Sequence, residues 1–161
     1  MAANNGRYDY SIQISKKASY EKRFYNKFNY PIIETPSIIN DKVMPSQELI
    51  LAITRQESEF DPKANSYAGA KGMMQLMTYT AKLVAKQMKV NYSKSRLTSD
   101  PDYNIRLGTY YFNSLLNNYN EVYPFAIAAY NAGPNRVKTW RRVNGDPSKG
   151  CLLYTSDAAD E

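Results

Sequence analysis

Glu57 is the residue of this sequence that is best placed to do chemistry. Leu49, Ile53 and Glu57 are spaced at i, i+4 and i+8, so in a helix the carboxylate lies on the same side as the apolar stripe. Burial disfavours the ionised form of a carboxyl group, and the negative end of the helix macrodipole acts in the same direction. We therefore expect an acid with a raised pKa, able to donate a proton to a leaving oxygen as glycoside cleavage requires.

The same position also has a structural interpretation. An inward-facing Glu near a helix end is often held by a neighbouring Arg or by backbone amides, without any catalytic role. No second carboxylate stands nearby to decide the matter, because Glu59 lies about 200° around the helix and Asp61 lies at the helix break. The choice between the two interpretations therefore depends on residues elsewhere in the chain.

The composition limits which other chemistry is available. The chain has 161 residues, of which 43% are hydrophobic and 15 are Tyr, and this is typical of one globular domain. It contains no histidine, which excludes Ser-His and Cys-His triads, imidazole bases and nearly every zinc site. The single cysteine, Cys151, allows no intramolecular disulfide. We predict no metal and no cofactor.

The last eleven residues, 151–161, differ in character from the basic, Trp-containing stretch before them. They resemble the translation of an adapter used in sequencing libraries, and we expect them to be non-native. The chain would then be C-terminally incomplete near Gly150, so we expect the 161-residue chain to be poorly folded or inactive. Without these residues, 21 basic residues stand against 12 acidic ones, a net charge of +9.

The positive charge suits an anionic partner such as a cell-wall polymer, a membrane surface or nucleic acid. The basic residues are scattered, however, and form neither a continuous run nor a nucleic-acid-binding motif. A solvated basic surface is the simpler explanation, and we predict no nucleic-acid partner. The sequence also has no apolar run of transmembrane length and no signal peptide.

The elements that must position Glu57 are predicted to be helices. Pro45 and Ser46 begin the Glu57 helix, Asp61-Pro62 ends it, and a loop follows from residue 64 to residue 72. Gly108 is predicted to let a partner helix approach closely. Further helices are expected over 18–28, 78–89, 101–118, 123–130 with an αL-type ending at Gly133, and from Pro134 through Trp140. No alternating strand pattern appears, so the predicted fold class is all-α, with a connector over residues 1–44 and a domain over residues 45–150.

Several short motifs follow one another in a fixed order. They are Arg55-Gln56-Glu57-Ser58, Asp61-Pro62-Lys63-Ala64, Gly69 to Met77, Asp100-Pro101 with Asn104 and Leu107-Gly108-Thr109, and Ala128 to Pro134 with Trp140. Together they resemble the catalytic domain of the soluble lytic murein transglycosylases, glycoside hydrolase family 23. The resemblance implies a lysozyme-like helical domain that acts on peptidoglycan glycan strands in the periplasm, and we expect a monomer.

The resemblance also implies roles for individual residues. Glu57 becomes the sole catalytic acid and base; Gln75 binds glycan through its amide, Met77 lies beneath a sugar ring, and Tyr130 closes over the reacting site. The implied substrate-binding residues are Ser66, Gln75, Met77, Tyr130 and Asn131. Without the other motifs, a buried tyrosine and a helix-ending asparagine would be the better explanation of Tyr130 and Asn131. The alternative that Met73, Met74 and Met77 are core methionines is partly right under either interpretation.

The chain departs from the family pattern in several places. Met73 and Thr78 stand where the family commonly has Leu and Pro. A Glu-Thr-Arg-like motif and a terminal helix with a further active-site tyrosine have no counterpart here, which we attribute to the expected truncation.

One carboxylate suffices if the substrate assists the reaction. Glu57 would protonate the oxygen between N-acetylmuramic acid and N-acetylglucosamine, while the acetamido group stabilises the anomeric carbon. The ionised Glu57 would then deprotonate the C6 hydroxyl, which attacks C1 and forms a 1,6-anhydro ring. Two alternatives remain: a goose-type lysozyme-like muramidase that uses water, and a wall-binding module without turnover.

Overall fold

The computed structural model describes residues 6–144 and confirms the predicted helical fold class. The chain divides into two compact units, Met1–Asn113 and Ser114–Glu161. Residues 151–161, the expected non-native tail, lie outside the described part. The elements are α1 Tyr8–Tyr20, α2 Asn26–Asn29, β1 Ile38–Ile39, β2 Lys42–Val43, α3 Gln47–Ser58, α4 Thr78–Gln87, α5 Arg96–Ser99, α6 Pro101–Asn118, α7 Tyr123–Ala132 and α8 Pro134–Asn144.

The first helix differs from the prediction of a helix over 18–28. α1 ends at Tyr20, and Lys22 has a φ of 59°, a left-handed conformation that a right-handed helix cannot include. The buried side of α1 holds one large apolar residue, Ile12, beside Asp9, Ser11 and Ser15. A buried face made mostly of polar residues has no apolar periodicity, which is why the sequence pattern misplaced this helix.

A short hairpin, which the sequence pattern did not predict, lies between α2 and α3. β1 and β2 pair antiparallel, with Ile38 opposite Val43. Asn40 and Asp41 connect them, and both have positive φ, 49° and 59°, as a two-residue type I′ turn requires. Strands of two residues are too short to produce an alternating pattern, so sequence periodicity cannot detect them.

The helix that carries Glu57 begins as predicted and ends earlier than predicted. α3 starts after Ser46, the predicted start, and its last residue is Ser58. Glu59 adopts the left-handed conformation, with φ 54° and ψ 35°, and its amide nitrogen donates to the Arg55 carbonyl at 3.2 Å. The helix therefore stops at this left-handed residue, before the predicted Asp61-Pro62 break is reached.

The core of the first unit forms between the hairpin, the segment before α4, and helices α4 to α6. α4 and α6 confirm the predicted helices, and α5 is a short additional helix. Asp100 begins α6, because its Oδ1 accepts the Tyr103 amide at 3.0 Å. The core cluster contains Ile39, Met44, Leu76, Ala81, Val84, Ala85, Met88, Leu97, Tyr103, Leu107 and Tyr110.

The described part of the second unit contains α7 and α8, both at the predicted places. Gly133 separates them with φ 89° and ψ 145°. The positive φ suits glycine, but this ψ is outside the left-handed helical region, so the predicted αL-type ending is wrong in detail. Tyr119 packs against Phe125, with ring centroids 5.9 Å apart, and its hydroxyl donates to the Pro134 carbonyl at 3.3 Å.

Candidate active site

Glu57 occupies the last turn of α3, at the edge of its buried face. The buried residues of this helix are Ile50, Ile53 and Thr54, so Glu57 at i+7 from Ile50 continues the buried side as the helix ends. Its side chain is half-buried, and burial raises the pKa of the Glu57 carboxyl above its ordinary value. The direction expected from the sequence is therefore confirmed, with burial as its cause.

Glu59, two residues further, is a carboxylate that forms ion pairs and has a lowered pKa. Its Oε1 lies 2.6 Å from Lys16 Nζ and 3.1 Å from Arg55 Nη1. The hydrogen bond from Lys16 is the largest cause that lowers the pKa of Glu59. Two neighbouring carboxyl groups thus have pKa values shifted in opposite directions, so one of them favours the protonated form and the other the ionised form.

The turn that follows Ser58 is conformationally strained. Glu59 and Phe60 are consecutive non-glycine residues with positive φ, 54° and 64°. Each such residue costs about 1 to 2 kcal/mol. The ring of Phe60 is 1% exposed and contacts Tyr8 of α1 edge-on, with centroids 6.4 Å apart. Burying a Phe side chain contributes about 1.5 to 3 kcal/mol, which offsets much of this cost.

Ser58 connects the end of α3 to the motif segment Gly72 to Gln75. Its hydroxyl donates to the Met73 carbonyl at 2.7 Å. Within the segment, the backbone amide of Gln75 and its side-chain Nε2 both donate to the Gly72 carbonyl, at 3.0 and 2.9 Å. The residue next to Glu57 therefore holds the backbone of the segment that carries Gln75, a predicted glycan-binding residue.

Asn104 of α6 holds the same segment from the other side. Its side chain is fully buried; Oδ1 accepts the Met74 amide at 2.8 Å, and Nδ2 donates to the carbonyls of Lys71 and Leu97 at 3.0 Å each. Sequence reasoning included Asn104 in a motif without giving it a role. A lone amide on an otherwise apolar helix face was the available signal, because buried amides need partners.

Two glycines make room for this arrangement. A Cβ at Gly72, where φ is 75°, would lie 2.0 Å from the Leu97 carbonyl oxygen and 2.4 Å from Asn104 Nδ2. A Cβ at Gly108 would lie 2.3 Å from Met74 Sδ. Gly108 therefore admits the Met74 side chain, and the expectation that it admits a partner helix is wrong.

Ser66 lies in a loop that is closed by its own hydrogen bonds. Its amide donates to the Ala70 carbonyl at 3.0 Å, and its Oγ accepts the Ala70 amide at 2.9 Å. The Gly72 amide donates to the Ala64 carbonyl at 2.8 Å and so joins this loop to the Gln75 segment. Ser66 itself is exposed, which leaves it accessible to a ligand.

The three neighbouring methionines have different environments. Met73 and Met74 are buried, at 3% and 0% exposure, and belong to the core. Met77, the residue before α4, is 44% exposed. The core-methionine interpretation is thus correct for the first two and wrong for Met77.

Tyr130 and Asn131 belong to the second unit. Both lie near the end of α7, where Tyr130 is half-buried and Asn131 is exposed.

In the first unit, the structure joins Glu57 by hydrogen-bonded segments to the loops of Ser66, Gln75 and Met77. Within residues 6–144, there is no group of acidic, His or Cys side chains that could hold a metal ion, and no helix is long and apolar enough to cross a membrane.

Comparisons with known proteins show which family this chain belongs to. The soluble lytic murein transglycosylase of Escherichia coli K12 is 37% identical over 144 residues, which cover 86% of this chain and 22% of that protein. The membrane-bound lytic murein transglycosylase C of Serratia proteamaculans is 33% identical over 138 residues, 80% of this chain and 37% of that protein. This chain therefore spans only a minor part of the length of these relatives.

Solved structures give the same result for the fold. The 70 kDa soluble lytic transglycosylase of Escherichia coli matches with a TM-score of 0.71 at 32% identity, over 88% of this chain and 23% of that one. An inactive mutant of the Pseudomonas aeruginosa lytic transglycosylase Slt also matches with a TM-score of 0.71 at 32% identity, over 86% of this chain and 23% of that one. Residues 37–151 match the family described as the transglycosylase SLT domain, and the chain belongs to that family.

Proposed function

We propose that this chain carries the catalytic domain of a lytic transglycosylase that cleaves the bond between N-acetylmuramic acid and N-acetylglucosamine in peptidoglycan. The observation that carries the proposal is Glu57, a half-buried carboxyl group with a raised pKa, whose neighbour Ser58 holds the Gln75 segment. Membership of the transglycosylase family and the names of its relatives support this activity. These relatives act on murein, which supports a location outside the cytoplasm, and we propose the periplasm.

Glu57 performs both proton transfers in the proposed reaction. Burial raises the pKa of Glu57 and so favours its protonated form, which is the form that can protonate the glycosidic oxygen. Once ionised, it accepts the proton of the muramoyl C6 hydroxyl, which attacks C1. The inactive mutant of the Pseudomonas aeruginosa relative carries a Glu to Gln change, which supports an essential glutamate in this family.

The remaining predicted residues bind the glycan in this proposal. Gln75 lies in the segment bonded to Ser58, exposed Ser66 lies in the loop bonded to Gly72, and exposed Met77 offers a polarisable apolar contact for a sugar ring. For Tyr130 and Asn131 of α7, the support for glycan binding is the family resemblance of their motif. The one-carboxylate mechanism is supported by Glu59, because its carboxylate is bound to two cations, Lys16 and Arg55, and is therefore poorly suited to activate a water molecule.

The experiment that tests this function compares Glu57→Gln with the parent on purified murein sacculi, each in a chain extended to the length of its relatives. We expect a loss of about 100- to 10,000-fold in released muropeptides, because the amide keeps the size of the side chain and cannot deliver a proton. Sedimentation with sacculi measures glycan binding and should be unchanged. Glu48→Gln is the matched control, since Glu48 is an exposed carboxylate in the first turn of the same helix. Activity of Glu57→Gln within a few-fold of the parent would contradict the role of Glu57.

The products decide between the transglycosylase and a lysozyme-like hydrolase. Attack by the C6 hydroxyl gives anhydro products that are one water lighter and incorporate no label from heavy-oxygen water. Mass spectrometry of the digest measures both properties. Labelled reducing ends would favour the muramidase, and binding without turnover in the parent would favour the wall-binding module.

A further inference from the structure

The strained turn after the Glu57 helix is held by residues that lie outside the family match. The match covers residues 37–151, whereas α1 and α2 span Tyr8–Tyr20 and Asn26–Asn29. α1 contacts both left-handed residues of the turn. Lys16 binds Glu59, and Tyr8 packs on the ring of Phe60.

α2 holds the residue that faces the turn from within α3. Arg55 Nε donates to the Asn29 carbonyl at 3.1 Å, and its Nη2 donates to Asn29 Oδ1 at 3.0 Å. The remaining Nη1 lies 3.1 Å from Glu59 Oε1. A guanidinium bound in this way is fixed in orientation, because its planar fork has three directed contacts on two neighbouring segments.

α1 and α2 are themselves joined, so they hold the turn together. Ser15 Oγ donates to the Tyr25 carbonyl, next to α2, at 3.1 Å. Ser15 is buried, and Ile12 on the same face of α1 is fully buried. The N-terminal helices are therefore packed on their inner face, and they present Lys16 and Asn29 to the end of α3.

We propose that α1 and α2 form a clamp that positions Glu57 by holding the Glu59-Phe60 turn in its left-handed conformation. This inference rests on the proposed function. Left-handed non-glycine residues persist only where surrounding contacts determine them, and here those contacts come from Tyr8, Lys16 and Asn29. Glu59 follows Ser58 directly, so relaxation of the turn would shift the bond from Ser58 to Met73 and the orientation of Glu57.

The clamp acts through position and not through charge. The cause that raises the pKa of Glu57 is burial, so Lys16 and Glu59 have no direct part in its titration. Loss of the clamp should thus lower turnover and leave substrate affinity and the pH profile nearly unchanged. Lys16 and Asn29 are positioning residues in this proposal, since they reach the reaction only through Glu59 and Arg55.

The test compares Lys16→Met with Arg96→Met in the parent chain. The two ion pairs are matched, because the side chains of Lys16 and Glu59 are 47% and 30% exposed and those of Arg96 and Asp100 are 49% and 32% exposed. We expect Lys16→Met to lower kcat per folded molecule by about 3- to 30-fold with KM unchanged, since misplaced catalytic groups cost turnover. Arg96→Met should lower only the melting temperature. Lys16→Arg keeps the positive charge and should retain the turnover of the parent.

Amide hydrogen exchange tests the clamp without relying on activity. The amides of Glu59 and Asp61 donate across the turn to Arg55 and Ser58. Both should exchange several-fold faster in Lys16→Met and at the parent rate in Arg96→Met. Equal exchange in the two variants, or faster exchange with parent kcat, would overturn the proposal. If the parent releases no muropeptides, the proposed function fails and the exchange rates alone decide whether the N-terminal helices hold the turn.

Discussion

Two turns flank the backbone around Glu57, and they are held in different ways. The Glu59-Phe60 turn consists of non-glycine residues in left-handed conformations and is held by ion pairs and an aromatic contact. The segment from Gly72 to Gln75 begins with a glycine and is held by the buried amide of Asn104. Buried neutral hydrogen bonds tolerate little change, whereas part-exposed ion pairs are weak and depend on salt. The Glu59-Phe60 turn should therefore change its conformation more readily than the Gly72 to Gln75 segment.

The largest effect is expected from Gly72→Ala. The new Cβ would meet the Leu97 carbonyl and Asn104 Nδ2 far inside contact distance, and φ is 75°. Overpacking and left-handed strain together should lower the free energy of unfolding by about 4 kcal/mol. Denaturant unfolding measures this loss. Gly69→Ala is the matched control, because Gly69 has φ 88° and no atom within 4 Å of the added Cβ, so it reports the backbone cost alone. Equal losses in the two variants would show that the close packing around Gly72 is unimportant.

Asn104→Ala should have the next largest effect. The substitution removes the partner of the buried Met74 amide and one donor each from the carbonyls of Leu97 and Lys71, of which Lys71 keeps the Leu76 amide at 3.0 Å. Unpaired buried groups of this kind cost about 1 to 3 kcal/mol each, and after partial relaxation we expect a loss of about 3 kcal/mol. Asn113→Ala, at a half-buried position of the same helix, should cost less than about 1 kcal/mol. A small loss for Asn104→Ala would mean that the segment is held by other contacts.

The smallest change in stability is expected from Glu57→Gln, and this change depends on pH. Folding raises the pKa of Glu57, so its protonated form is favoured in the native state. The resulting stability is fully present below the pKa of the unfolded carboxyl group and is lost as the pH rises through the folded pKa. Glu57→Gln cannot ionise, and it should therefore melt higher than the parent at about pH 8, by on the order of 1 to 2 °C, and equally at about pH 4. Identical melting temperatures at both pH values would contradict a raised pKa for Glu57.

The local signals in the sequence predicted most of the helices and identified Glu57 as the candidate acid. Ser46, Asp100-Pro101 and Pro134 begin helices where they were expected to, since the preference of these residue types for helix starts depends on neighbouring residues along the chain. The placement of Glu57 on the buried side of α3 follows from its spacing, and the absence of histidine excludes whole classes of site from composition alone. The order of the motifs was enough to indicate the family that the comparisons confirm.

Tertiary contacts decided what holds these residues in place. Lys16 is 43 residues from Glu59, and Asn104 is 30 residues from Met74, so neither contact leaves a periodic pattern in the sequence. The same holds for α1, whose buried face of small polar residues is recognisable only once its neighbours are known. Periodicity and capping report on residues within a few positions of each other, while the partners of a buried amide or a strained turn come from distant parts of the chain.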